Sequence, residues 1–366
     1  MADLRQSSIL SNCWNNSLFK KLLIAGICAA VLVGAGTGLW VWQGLGSLSK
    51  PVVMAEPVLF NVPGGTAFSE VARQLEARGL VEKSLWVRVY GRLFPDKARI
   101  KAGEYEFSDG MTAEAMLDKM VAGETKHWSV QFIEGWTFRD LRAALASTER
   151  LDGLTSGWSD AQIMEAVGAE GEHPEGRFFP DTYLFTSSET DLDLLRRSFQ
   201  RMEAVLSEEW ENRQEDLPYD SAYEALIMAS IVERETGAPH ERGQVAGVFV
   251  RRLEKGMRLQ TDPTVIYGMG DKYKGRIGSR DLRTHTPYNT YRINGLPPTP
   301  IALPGREAIH AALHPEPGKA LYFVARGDGT HKFSSTLAEH QKAVRAFQLN
   351  RRSDYRSSPA GKDDKE

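Results

Sequence analysis

The chain has 366 residues, 42% of them hydrophobic and 25% charged, a globular composition with room for about two domains and a substantial core. With 45 basic against 48 acidic residues the formal charge is −3, and no stretch gathers Lys and Arg into a stripe. Nucleic acid is therefore excluded as an expected partner.

From Leu22 to Trp42 there is no charged residue, and Gly and Thr alone interrupt the apolar side chains. That length suits one helical crossing of a bilayer, which takes about 20 residues. A cleaved signal peptide would carry an apolar region of roughly 7 to 15 residues and a small-x-small exit. This run is longer and leaves through Leu39-Trp40-Val41-Trp42, whose indoles suit a membrane interface. The expectation is a retained transmembrane helix at 22–42 behind a cytoplasmic tail at 1–21. Lys20 and Lys21 precede the span and the first charge after it is Lys50, so the bulk of the chain is expected outside the cytoplasm. Cys13 and Cys28 fall in the tail and the span, so the exported part needs no disulfide and has no Cys nucleophile.

Residues 43–56 read as a spacer, and folding is expected from Pro57. A local pattern then recurs three times: a strand-like run, a Gly, and a Thr opening an amphipathic helix. The instances are Val58–Val62 before Gly65-Thr66, Tyr105–Phe107 before Gly110-Met111-Thr112, and Ser129–Ile133 before Gly135-Trp136-Thr137. Each Thr is an expected N-cap, and the first helix carries the stripe Phe68, Val71, Ala72, Leu75. The pattern does not continue as an array, which excludes a solenoid. Residues 147–220 read as mostly helical, broken by an ordered loop at Gly176–Tyr183, and the polar stretch 351–366 as a disordered tail. The fold class expected is α+β: one transmembrane helix, a small α+β domain at 57–127, and a mixed α/β domain at 128–350.

The chemistry-bearing segment opens on Ser221-Ala222-Tyr223-Glu224, a capping box, and runs through Leu226–Val232 to Glu233-Arg234-Glu235-Thr236 before Gly237 and Pro239 stop it. The helix is apolar on every side, as a core helix is. Yet two acids occupy its last turn, at the negative end of the macrodipole. Pairing with Arg234 or Arg242 would account for them structurally. Alternatively, burial and the helix terminus raise a carboxyl pKa, which is what a general acid near neutral pH needs. Residues two apart point in opposite directions, so periodicity leaves both acids open; the bulkier apolar face, Met228, Ile231 and Val232, is on the side of Glu235.

Downstream, Gln260, Thr261, Asp262, Tyr267, Tyr288, Asn289 and Tyr291 lie in a polar, aromatic, loop-rich stretch suited to the hydroxyl edges and apolar faces of sugars. Turn formation would explain the same residues. His310 and His314 are spaced i, i+4, with His285, His331 and His340 nearby in sequence, but no His-Glu-x-x-His set is present and Pro315 truncates that helix. No metal or other cofactor is expected. Gly64-Gly65-Thr66 lacks the Lys of a phosphate loop.

The segments Met228–Thr236, Arg258–Gly268 and Tyr288-Asn289-Thr290-Tyr291, with Pro180–Tyr183 and Gly295-Leu296-Pro297-Pro298, resemble the MltG (YceG-like) family of endolytic murein transglycosylases. The resemblance covers most of the exported chain and includes an amino-terminal portion similar to a LysM peptidoglycan-binding module, at 57–127, before a YceG-like catalytic domain at 128–350. It assigns the catalytic role to the second acid of Glu-x-Glu-Thr, Glu235, with Glu233 and Asp262 supporting. It implies cleavage of the MurNAc-GlcNAc β-1,4 bond inside nascent peptidoglycan strands with a 1,6-anhydroMurNAc end, at the bacterial inner membrane with a periplasmic catalytic domain, beside peptidoglycan synthases or division proteins. A two-carboxylate muramidase using Glu235 with Asp262 and a non-catalytic peptidoglycan-binding scaffold are the alternatives.

Overall fold

The computed structural model describes residues 9–235 and 237–349, with side chains from Lys20 onward. Thr236, the outermost residues of the expected cytoplasmic tail and the expected tail from Arg351 lie outside the described residues. The chain divides into two compact units, one ending at Lys126 and one starting at His127.

The first unit runs α1 (Ile9–Gly46), β1 (Val58–Val62), α2 (Phe68–Ala77), α3 (Ser84–Leu93), β2 (Gly103–Phe107) and α4 (Ala113–Ala122). The helical stretch Lys20–Ser49, most of α1 with the short turn Ser47–Ser49 after it, is long and apolar enough to cross a membrane, and none of its most apolar window is buried. β1 and β2 pair antiparallel with Val58 opposite Phe107 and Val62 opposite Gly103. Alternation turns Phe60 and Val62 toward Tyr105 and Phe107, and the Val71, Ala72 and Leu75 face of α2 closes over them.

Two expectations for this unit need correction. Thr112 accepts the Ala115 N–H and Thr137, in the second unit, accepts the Asp140 N–H, each as an N-cap, but Thr66 does not cap. Its hydroxyl donates to Pro63 O at 2.7 Å, and α2 starts after Ala67 instead. Residues 43–56 are also no free spacer. Leu48 is 2% exposed in the core, and Val52 exchanges backbone bonds with the turn before α4, donating to Met111 O at 2.9 Å and accepting from Gly110 N at 3.0 Å. The Gly and Ser residues around Leu48 suggest a linker by composition, while Leu48, Val52 and Met54 supply apolar area that the small core takes up.

The second unit contains β3 (Trp128–Gln131), α5 (Phe138–Ser147), α6 (Asp160–Ala166), β4 (Thr182–Phe185), α7 (Asp191–Glu211), α8 (Ala222–Glu235), α9 (Arg242–Glu254), α10 (Asp262–Met269), α11 (Ser279–Arg283), α12 (Arg306–Leu313), β5 (Tyr322–Ala325), β6 (His331–Ser334) and α13 (Leu337–Val344). The expected loop at 176–183 ends earlier than its aromatics suggest, because Thr182 and Tyr183 open β4 and pair with Gln131 and Val130. The stretch read as loop-rich contains α10, entered through Pro263 in its first turn, where the missing N–H costs nothing.

At the centre lies α8, in which every residue from Ala225 to Val232 is buried. Met202 and Leu206 of α7, Val245 and Phe249 of α9, and Ile309 and Ala312 of α12 surround it. An all-apolar helix is stable only when wrapped in this way. Its entry is half of a capping box: Ser221 Oγ accepts the Glu224 N–H at 3.3 Å, but the Glu224 carboxylate reaches back to the N–H of Asp220, not of Ser221. The fully packed α8 is a rigid base from which its last turn projects.

Candidate active site

The two acids of that last turn meet different surroundings. Glu233 accepts the Gly305 N–H at 3.0 Å, just before α12, and pairs with Arg242 at 3.4 Å. Arg242 also meets Glu134 and Glu307, while Arg234 donates to Gly135 O at 3.0 Å. Both arginines named as partners for these acids are thus engaged away from Glu235. Burial raises the Glu233 pKa, opposed by the Gly305 N–H and Arg242.

Glu235 lines a cleft of about 460 Å³ together with Gln260, Asp262, Tyr291, Tyr322, His331 and His340. Thr261, 2% exposed, donates its hydroxyl to Glu235 Oε1. Although Thr261 stands at the N-cap of α10, it makes no side-chain cap there. Burial pushes the Glu235 carboxyl up to about 7; Thr261 and Arg252 oppose the shift and the Asp262 charge adds to it. Asp262 accepts from the Tyr291 hydroxyl at 2.7 Å. The Thr261 backbone is fixed by Thr290, whose hydroxyl accepts its N–H at 3.1 Å, and Gln260 adopts a left-handed φ of 52° as the chain turns into the site.

The remaining sequence candidates serve elsewhere. Asn289, 1% exposed, donates to the carbonyls of Asp281, Leu282 and Thr284 and so shapes the turn after α11. Tyr267 and Tyr288 meet edge to face at 4.9 Å, Tyr267 donating to Glu175 at 3.0 Å and Tyr288 bonding Thr299 at 2.9 Å. None of these three lines the Glu235 cleft.

Three groups of this unit, Arg252, Glu175 and Glu209, escaped the sequence reading. Arg252 lines the cleft but its guanidinium is tied down, donating to Leu321 O and Leu259 O at 2.7 Å each. Glu175, 4% exposed, accepts the Phe138 N–H at 2.9 Å and the Tyr267 hydroxyl, and burial pushes it up to about 7. Apart from an unusual Pro-Glu-Gly before aromatics, no local signal marks it. Among the described residues, Glu209, His310 and His314 bring potential metal-ligand atoms within 4.8 Å of one another. They lie away from this cleft, and Glu209 is already shared between Arg306 at 2.9 Å and His310 at 2.8 Å.

Residues 60–346 match the YceG-like family. The chain belongs to the YceG-like family. It is 31% identical over 312 residues to an endolytic murein transglycosylase of Bacillus subtilis, covering 79% of this chain and 84% of that one. To an endolytic murein transglycosylase of Streptococcus pneumoniae it is 25% identical over 321 residues, covering 78% of this chain and 58% of the longer relative. A 2.6 Å crystal structure of a YceG-like protein from Listeria monocytogenes aligns with 80% of this chain and 99% of that one at 29% identity and a TM-score of 0.48. In this YceG-like chain the family match spans both units.

Proposed function

We propose that the chain is an endolytic peptidoglycan transglycosylase, with Glu235 as its single acid and base. Membership of the YceG-like family and the name carried by its relatives support the reaction class. The observation that carries the assignment to Glu235 is a carboxyl held near 7 in an open cleft, with a hydroxyl donating to one of its oxygens. Because Thr261 occupies Oε1 as a donor, the acidic proton belongs on Oε2.

The reaction then balances on one residue. Protonated Glu235 gives its proton to the glycosidic oxygen as the bond from MurNAc C1 to that oxygen breaks, releasing GlcNAc with a free hydroxyl. The resulting carboxylate takes the proton of the MurNAc C6 hydroxyl while O6 bonds to C1, closing the 1,6-anhydro ring and returning Glu235 to its starting state. Water is not consumed. Asp262 acts electrostatically, keeping Glu235 protonated near neutrality, and Gln260 and Tyr291 face the glycan. Glu233 positions the Gly305 turn and α12. Asn289 accepts the Tyr291 N–H at 3.0 Å and so positions that lining residue, while Tyr267 and Tyr288 act outside the cleft.

The anchor is the α1 segment around Leu22–Trp42, with Lys20 and Lys21 on the cytoplasmic side and the chain from Pro57 onward in the periplasm. The β-α-α-β start of 57–127, which α4 follows, supports a LysM-like module that binds the glycan strand, with 128–350 as the catalytic domain. Peptidoglycan synthases or division proteins are the partners such placement would suit.

The test is digestion of nascent glycan by the detergent-solubilised chain, with mass identification of the ends. Anhydro ends from wild type and none from Glu235→Gln are expected. Asp262 in the same cleft favours one alternative, hydrolysis by two carboxylates, and reducing MurNAc ends would replace the proposal with it.

A further inference from the structure

We infer that the carboxy-terminal hairpin supplies a second glycan-binding wall of the Glu235 cleft, in which His331, clamped by Glu241, accepts a hydrogen bond from the sugar through Nε2. The inference rests on the glycan-cleaving reading above. His331 and Glu241 side chains are each 8% exposed, with Nδ1 2.7 Å from Glu241 Oε2, and the His331 N–H reaches both carboxylate oxygens at 3.0 and 3.1 Å. Three bonds converging on one side chain suit a carboxylate, which only accepts, so Nδ1 carries a proton and donates. In the neutral ring Nε2 is then the acceptor.

The position of this ring links it to the site. Glu241 ends the short turn Pro239–Glu241 just after α8, so the segment that presents Glu235 also presents the clamp. Phe323 packs edge to face on the imidazole at 5.3 Å, and His331 borders the same cleft as Glu235. Beside it, the His340 ring lies nearly parallel to Tyr322, 5.1 Å centre to centre, and both line the cleft. One fixed acceptor beside aromatic side chains suits an amino sugar: its apolar face meets the rings that line the cleft, and a hydroxyl or acetamido N–H donates to Nε2. A histidine serving only to pin β6 would need the Glu241 bonds but no place at the cleft.

The two amide substitutions separate these roles, since the nitrogen of Asn approximates Nδ1 and the polar end of Gln approximates Nε2. In the full chain in detergent, His331→Asn is expected to keep the Glu241 bond and the unfolding temperature. Its KM for glycan strands should rise about tenfold, the worth of one hydrogen bond, with kcat nearly unchanged. His331→Gln should recover part of that loss in KM. Wild-type KM in a folded His331→Asn protein would overturn the inference while leaving the transglycosylase reading intact; a wild-type chain that cleaves nothing would instead overturn that reading. Should His331→Asn fail to fold, the His331 imidazole nitrogen resonance of the wild-type chain should move on saturation with tetra-N-acetylglucosamine, and a resonance that stays fixed at saturation would overturn the inference.

Discussion

Replacing Thr261 by the isosteric Val should move the alkaline limb of the reaction upward. Wild-type Glu235 sits at about 7, so the rate should hold on the acid side of that value and fall tenfold per pH unit beyond it, as the proton donor is lost. The Thr261 hydroxyl donates to Glu235 Oε1, a bond that is stronger to the carboxylate than to the acid. A hydrogen bond to a charged group contributes about 1.5 to 3 kcal/mol. At 1.36 kcal/mol per pKa unit, its removal should raise Glu235 by roughly one to two units. Asp262→Asn should act in the opposite direction, since it removes a neighbouring negative charge that now opposes ionisation. The assay is the initial rate of anhydro-end formation against pH for the three proteins. A limb that stays in place in Thr261→Val, or moves the same way in both variants, would show that another group donates the proton.

Glu235→Gln should be inactive yet more stable at alkaline pH. Raising the acid from 4.5 to about 7 makes its ionisation cost the fold on the order of 3 kcal/mol, absent below the unfolded value, growing as pH rises, and complete above the folded one. Unfolding curves that coincide for the two proteins at alkaline pH would count against a raised pKa. Glu233→Gln should keep cleavage but lose about 1 to 3 kcal/mol, because it weakens the hold on Gly305 and Arg242. A chain begun at Pro57 should unfold more readily than one begun at Val41, as it lacks the buried Leu48, worth about 1.5 to 3 kcal/mol, together with the Val52 backbone pairing; equal thermal unfolding would refute that packing. Cleavage should persist in excess chelator, since the proposed chemistry uses one carboxyl, and restoration by zinc of an activity lost to chelator would refute it.

What the sequence disclosed most directly was α8, where an uninterrupted apolar run, a Ser at its start and Gly and Pro after it leave few alternatives to a buried helix ending in acids. The strand-Gly-Thr pattern located β1, α4 and α5, since strands and caps are encoded over a few residues. α10 was hidden because it buries only Thr264 and Val265, too little apolar surface to produce a stripe. The part of the cleft lining that His331 supplies was hidden for a different reason. Glu241 and His331 are 90 positions apart, and nothing near either residue encodes their meeting.

Thr261 shows where local rules stop and the site begins. Threonine before Asp-Pro at a helix start should bond its own helix, as Thr112 and Thr137 do. Instead, α10 has no side-chain cap and the hydroxyl goes to Glu235. Losing such a cap typically costs about 1 kcal/mol. Two compensations are visible: Pro263 removes one N–H that would otherwise lack a partner, and the Thr264 hydroxyl bonds back to Thr261 O at 2.8 Å. A helix start that forgoes its cap in order to set the protonation of an acid 26 positions earlier is a conflict between local stability and chemistry, and such conflicts gather where function is. By the same logic a Ser at 261 should preserve the pH limb, since it retains the hydroxyl, whereas Val should shift it without unfolding α10.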